Sequence, residues 1–114
     1  MKFKTDNNFE LRKLESDKIT KKYPNRIPII IEKADGCILK DIDKTKYLAP
    51  KDLNMNQFIY VIRKRIKLDN SQSIFFIVGN NVCPSNVPLS SIYEEHKDKD
   101  GFLYIIYTSE NTFG

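Results

Sequence analysis

Asn54-Met-Asn-Gln-Phe-Ile-Tyr-Val-Ile-Arg-Lys-Arg-Ile-Lys67 is the stretch on which the fold turns, because it sets one helical period amid segments that read as strands. Met55, Phe58, Ile59, Ile62 and Ile66 recur at three- and four-residue spacing, the signature of one apolar helical face. Arg63, Lys64 and Lys67 fall outside that stripe. Asn54 with Gln57 three residues on has the form of a capping box, which satisfies two orphan donors at a helix start. A helix with one apolar stripe must bury it, and its neighbours in sequence offer a sheet.

Downstream, Ser73 to Val78 contains the run Ile74-Phe-Phe-Ile-Val and reads as a strand buried on both faces. Gly79 to Pro88 reads as a loop from its asparagines, glycine and prolines. Pro88 then suits the first turn of a short helix with Leu89, Ile92, Tyr93 and His96 on one side. After Lys97 to Gly101, the run Phe102-Leu-Tyr-Ile-Ile-Tyr107 predicts a final strand, rich in aromatic and β-branched side chains. A polar tail, Thr108 to Gly114, follows it.

Upstream, Arg26 to Lys33 carries Ile27, Ile29, Ile30 and Ile31 and predicts a strand with one peculiar spot, since Pro28 cannot donate to a ladder. Asp35-Gly36 marks a turn. Lys46 to Ala49, flanked by lysine and closed by Pro50, reads as a short strand at a sheet edge. Residues 1 to 22 predict helices with a thin stripe, Phe3, Phe9, Leu11, Leu14 and Ile19 being their apolar anchors. Tyr23-Pro24 ends them. The order of elements predicts an α+β fold: one helix across a mixed four-stranded sheet, the ubiquitin-like β-grasp, with a short helix and, ahead of the sheet, one or two short N-terminal helices. The expected division is a helical extension over 1–22, a β-grasp core over 23–107 and a tail over 108–114, in one domain.

The chain of 114 residues has 19 basic and 15 acidic residues, a net charge of +4. That excess suits an anionic membrane surface, acidic peptides or nucleic acid without choosing among them. No apolar run approaches the roughly 20 residues of a membrane span, and the N-terminus lacks the apolar segment of a signal peptide. Cys37 and Cys83 show no CxxC spacing and read as ordinary thiols.

Enzyme chemistry has little support. The single histidine, His96, sits among Glu94, Glu95 and Asp98 and reads as solvated or capping. Neither a phosphate-binding glycine loop nor a cluster with metal spacing is present in the sequence. No cofactor is expected. Arg63 to Lys67 is a candidate nucleic-acid patch, but cations at a helix C-terminus complement its dipole, and no aromatic residue is placed to stack bases. The edge at Lys46 to Ala49 has two readings that the residues alone leave open. It either accepts an extended peptide by strand addition, with Lys44, Lys46 and Arg65 favouring acids, or it stays a protected edge.

Five stretches resemble the autophagy ubiquitin-like modifiers, of which GABARAP and the microtubule-associated protein light chains are animal members. They are Tyr23-Pro-Asn-Arg-Ile-Pro-Ile-Ile-Ile-Glu-Lys33, Asp43-Lys-Thr-Lys-Tyr-Leu-Ala-Pro50, Gln57-Phe-Ile-Tyr-Val-Ile-Arg-Lys-Arg65, Ile92-Tyr-Glu-Glu-His-Lys-Asp-Lys-Asp-Gly-Phe-Leu-Tyr104 and Glu110-Asn-Thr-Phe-Gly114. The likeness runs from about Phe9 to the last residue, and it implies the same core with two added N-terminal helices.

The resemblance implies that the chain is a substrate and not an enzyme. A ubiquitin-type activating enzyme would activate the Gly114 carboxylate with ATP, a conjugating enzyme's cysteine would take it as a thioester, and phosphatidylethanolamine would receive it as an amide. Glycine suits this, since without a Cβ its acyl carbon stays open to thiol and amine. Two acyl chains then give stable membrane attachment. The expected location is cytoplasmic, with autophagosomal or other intracellular membranes after conjugation, and a deconjugating cysteine protease joins the expected partners.

The same resemblance implies that the edge strand binds acidic aromatic-x-x-aliphatic motifs of cargo receptors or adaptors. The aromatic pocket falls on Glu15, Ile19, Pro28, Ile30, Lys46, Leu48 and Phe102. The aliphatic pocket falls on Tyr47, Ala49, Pro50, Leu53, Phe58 and Val61, with Lys44 and Arg65 meeting acids. Ala49 is smaller than the Val or Ile expected there, which predicts a wider aliphatic pocket. The competing functional readings are an unconjugated peptide-binding adaptor and, less favoured, a basic nucleic-acid-binding domain.

Overall fold

A computed structural model gives the fold and describes residues 1–109. Gly114 and its predicted conjugation therefore lie outside the described residues. Two helices come first, α1 over Lys2–Asp6 and α2 over Phe9–Lys22. They are followed by β1 (Arg26–Lys33), β2 (Lys46–Pro50), α3 (Met55–Arg65), β3 (Phe75–Val78), β4 (Asn81–Val82), α4 (Leu89–His96) and β5 (Leu103–Thr108).

The sheet has five strands in the order β2-β1-β5-β3-β4, one more than the sequence predicts. The extra strand comes from the expected loop. Gly79 takes a left-handed φ of +64° and with Asn80 forms a two-residue hairpin, which lets Asn81 and Val82 pair back onto Val78 and Ile77. Two residues, one of them asparagine, carry no period from which a strand is readable. Strand β3 is also shorter than expected, with Ile74 buried just ahead of it.

Strands β1 and β5 run parallel at the centre, in register Ile29↔Leu103 to Lys33↔Tyr107, and β2 pairs antiparallel to the outside of β1. The Ile31 amide donates to the Thr45 carbonyl at 2.8 Å. By alternation the odd residues of β1 bond towards β2 and the even ones towards β5. Pro28 therefore lacks a donor only on the β5 side, one residue before that ladder begins. The peculiar spot costs no sheet hydrogen bond.

Helix α3 forms where the spacing places it. Asn54 and Gln57 complete the capping box, and Met55, Phe58 and Ile62 are buried. They pack with Ile27, Ile29, Ile31, Tyr47, Phe76, Leu89, Leu103, Ile105 and Tyr107 into the main core. The ring of Phe58 meets Tyr47 and Phe76 edge-on at 5.6 and 5.8 Å. Helix α3 ends with Lys67 at φ +55°, with Leu68 N–H donating to Arg63 O and Lys67 N–H to Lys64 O. This is a Schellman motif, with lysine in the position glycine usually takes.

The other face of the sheet is covered differently. Leu11 and Leu14, expected as anchors of α2, point outward at 56% and 52% exposure, and Phe9 is exposed as well. What α2 turns inward is Ser16, the one residue of that helix that is buried, and Arg12. Arg12 Nε donates to Asp100 Oδ2 at 2.8 Å, and the Asp100 side chain has no exposed surface. Asp100 also accepts from the Tyr104 hydroxyl and the Phe102 amide, while the Ser16 hydroxyl donates to its carbonyl. Gly101 permits this approach: a Cβ there would lie 2.4 Å from Ser16 Oγ. The anchor of α2 is therefore an ion pair and its hydrogen bonds, which apolar periodicity does not register.

Candidate functional site

Strand β2 is the edge of the sheet, and its two faces lead to different places. Register pairs Pro28 with Leu48 and Ile30 with Lys46, so these four even residues share the face towards α1 and α2. Phe102, just ahead of Leu103 and hence beside Pro28, joins them. Lys46 Nζ pairs with the Glu15 carboxylate of α2, and Ile19 lies one turn further along that helix, half-buried. The structure thus brings the seven residues of the predicted aromatic pocket to one face. Ile30 and Phe102 have 0% exposure, so in the free protein this face is covered at their position.

The odd residues Tyr47 and Ala49 face the α3 layer and are buried in the main core with Phe58. Leu53 and Val61 instead line an open groove of about 570 Å³ along α3, together with Asn56, Gln57, Ile59, Tyr60 and Arg63. The predicted aliphatic set therefore divides into a buried wall, Tyr47, Ala49 and Phe58, and a groove, Leu53 and Val61, with Pro50 exposed at the strand's end. Val61 is 43% exposed.

Between the two faces lies the strand's free backbone. The inward bonds belong to Thr45, Tyr47 and Ala49, so Lys46 and Leu48 turn their N–H and C=O groups outward. This is the geometry strand addition requires. The Leu48 carbonyl already accepts from Arg26 Nη1 at 3.1 Å, a contact for which the sequence carries no local signal. Arg65, predicted to meet acids, is held by Asp43: Nε to Oδ1 is 3.0 Å and Nη2 to Oδ2 is 3.4 Å. That hydrogen bond holds the Asp43 carboxyl below the usual aspartate range. The pair is exposed, so exchange of Asp43 for a partner's carboxylate costs little. Lys44 is exposed too, with Nζ 5.0 Å from the centroid of the Tyr47 ring. The Tyr47 hydroxyl is buried and has no hydrogen-bond partner among the described residues, and burial pushes its pKa up.

The remaining candidates do not converge on a catalytic arrangement. His96 is exposed at the end of α4 with Nε2 3.5 Å from Glu95. Cys83 is buried, which pushes its thiol up to about 11, and Cys37, in the turn after β1, has its Sγ 3.9 Å from Ser109 Oγ. The Arg63, Lys64 and Arg65 cations end α3, with Arg63 spent on the carbonyls of Asp69 and Gln72.

A β-grasp with two helices packed on the outer face of its sheet and an edge strand whose backbone at Lys46 and Leu48 faces outward defines a ubiquitin-like protein. The family model described as "Autophagy protein Atg8 ubiquitin like" matches residues 11–114. Autophagy-related protein 8e of Arabidopsis thaliana is 56% identical over 112 residues, covering 98% of this chain and 92% of its own length. Autophagy-related protein 8 of Schizosaccharomyces pombe is 55% identical over the same length, 98% of this chain and 93% of that protein. Among solved structures, Trypanosoma brucei ATG8 superposes with a TM-score of 0.92 at 38% identity, covering 100% of this chain and 98% of the other. Plasmodium falciparum Atg8, in complex with a Plasmodium falciparum Atg3 peptide, gives 0.89 at 34% identity, with 97% and 98% covered. The chain belongs to the Atg8 family of ubiquitin-like autophagy modifiers.

Proposed function

We propose that the chain is joined through Gly114 to phosphatidylethanolamine and, so anchored, gathers partners whose acidic aromatic-x-x-aliphatic motifs add to β2. It is a substrate of its activating and conjugating enzymes and performs no catalysis itself. The observation that carries the peptide half is the outward backbone of Lys46 and Leu48, set between an aromatic-lined face and the Leu53–Val61 groove. Family membership supports the conjugation half. The conjugating enzyme is itself a peptide partner in this reading, as the Plasmodium complex suggests by analogy. Location follows from chemistry: cytoplasmic when free, on autophagosomal or related membranes when two acyl chains are attached.

The test is reconstitution with activating and conjugating enzymes, ATP and phosphatidylethanolamine vesicles. A vesicle-bound species that phospholipase D releases is expected, and an undiminished yield from Gly114→Ala sinks the proposal. The adaptor-only reading predicts the reverse in cells: Lys46→Ala with Leu48→Ala abolishes activity while a chain lacking Gly114 keeps it.

A further inference from the structure

The face that the peptide reading assigns to an aromatic side chain is already occupied by one. Phe3 of α1 stands edge-on to Phe102, with ring centroids 5.3 Å apart at 73°, and tilts against Tyr104 at 6.3 Å. Lys46 Nζ lies 5.6 Å from the Phe3 ring centroid while pairing with Glu15. One cation thus ties α1, α2 and β2 together over the covered floor of Ile30 and Phe102.

Helix α1 is lightly held. It spans five residues and buries none of them fully, far short of the roughly 12 to 15 residues at which an isolated helix becomes even marginal. Its place depends on a few polar contacts. The Glu32 carboxylate of β1 accepts from Lys2 N–H at 2.9 Å and Phe3 N–H at 3.0 Å, capping the helix start. Lys4 Nζ reaches Asp98 at 2.7 Å and lies 4.4 Å from the Tyr104 ring centroid. Arg12 Nη1 donates to the Asn7 carbonyl at 2.7 Å and more weakly to that of Lys4. Segments with few buried apolar contacts and solvent-reachable hydrogen bonds open first.

We propose that α1 is a displaceable cover on the aromatic side of the edge strand, and that Phe3 stands in the free protein where the aromatic side chain of a bound peptide packs against Phe102. The inference rests on the peptide-binding reading above and adds a competitor to it. The Lys46–Glu15 pair alone is a weak gate, since exposed ion pairs contribute little. The Phe3 ring is the larger obstacle, because a second ring cannot share its position. A ligand that binds only the uncovered state has its apparent affinity reduced by the fraction uncovered. Loosening α1 therefore tightens peptide binding, whereas damage to the pocket weakens it.

The chain contains no tryptophan, so the emission of an acidic Trp-x-x-Leu peptide reports its own burial in a titration against the full chain. Phe3→Ala removes the competing ring, and Glu32→Ala removes the helix anchor without touching the pocket. Each is expected to bind the peptide roughly five-fold more tightly than the unaltered chain. Amide exchange at Thr5 and Asn7, whose N–H groups close α1 onto Met1 and Phe3, is expected to speed up when the unaltered chain is saturated with peptide. Phe3→Ala binding no tighter than the unaltered chain overturns the inference, as does undiminished protection of those two amides in the complex. If the unaltered chain and both variants fail to bind, the peptide-binding reading falls first. If binding is lost in Leu48→Ala but unmoved by Phe3→Ala, that reading stands and the cover alone is refuted.

Discussion

The two faces of the sheet's β2-β1-β5 half are closed by different physics. On one, α3 lays Met55, Phe58 and Ile62 against Ile27, Ile29, Tyr47 and Leu103, a buried apolar layer. On the other, α1 and α2 are held by Glu32, Asp98 and Asp100 meeting amides, Lys4 and Arg12, with Phe3 the main apolar contribution from α1. Apolar burial is non-directional and hard to undo in part. A clasp of hydrogen bonds and ion pairs is directional and gives way when one partner is exchanged. The same edge strand lies between both covers, so a peptide added to it as proposed would meet an apolar wall on one side and a polar clasp on the other.

The largest expected effect tests the rigid side. Phe58 is buried between two other rings, and Phe58→Ala removes the centre of that cluster. We expect a loss of about 3 to 5 kcal/mol in denaturant unfolding. A loss below about 1 kcal/mol would mean that α3 is not the main support.

Next is the clasp. Arg12→Ala leaves the carboxylate of Asp100 buried with the Tyr104 hydroxyl and the Phe102 amide alone. The unfolding midpoint is expected to fall by roughly 10 °C, and α1 and α2 amides are expected to lose exchange protection before those of α3. A uniform loss across both faces would dissolve the contrast drawn between them.

How far the sequence discloses this contrast follows from the same physics. The α3 side is legible because apolar periodicity and a capping box are local signals, and Asn54, Gln57, Phe58 and Ile62 behave as their spacing predicts. The edge position of β2 is legible from Lys46 and Pro50. The α2 side is not, since Leu11 and Leu14 look like anchors until Arg12 and Ser16 are seen to turn inward onto Asp100, 88 and 84 residues away. Phe3 over Phe102 and Arg26 over the Leu48 carbonyl are likewise tertiary pairings without a sequence period. Strand β4 is too short to show one.

A smaller effect lies on the rigid side, at a buried polar atom. The Tyr47 hydroxyl is buried and unpartnered among the described residues, and an unmet buried donor costs free energy that its removal recovers. Tyr47→Phe is expected to raise stability by about 1 kcal/mol in denaturant unfolding, with the ring still packed on Phe58. Destabilisation would show that the hydroxyl has a partner in solution.

The smallest effect belongs to the yielding side and is read by pH. Burial pushes the Asp98 carboxyl up, but hydrogen bonds from Lys4 and from the Asp100 amide outweigh it, and the net shift is below the ordinary value of 3.8. A carboxyl depressed in the folded state contributes stability that is complete above its unfolded value and is lost as pH falls through the folded one. The advantage of the unaltered chain over Lys4→Ala should therefore be constant from neutral pH down to about 5, shrink below about 4 and vanish in stronger acid. Because Lys4 and Asp98 both retain solvent contact, that advantage should stay under about 1 kcal/mol. A difference that persists undiminished in acid would place the contribution of Lys4 in its packing on the Tyr104 ring rather than in the ion pair. The latch on α1 would then be aromatic at both Phe3 and Lys4.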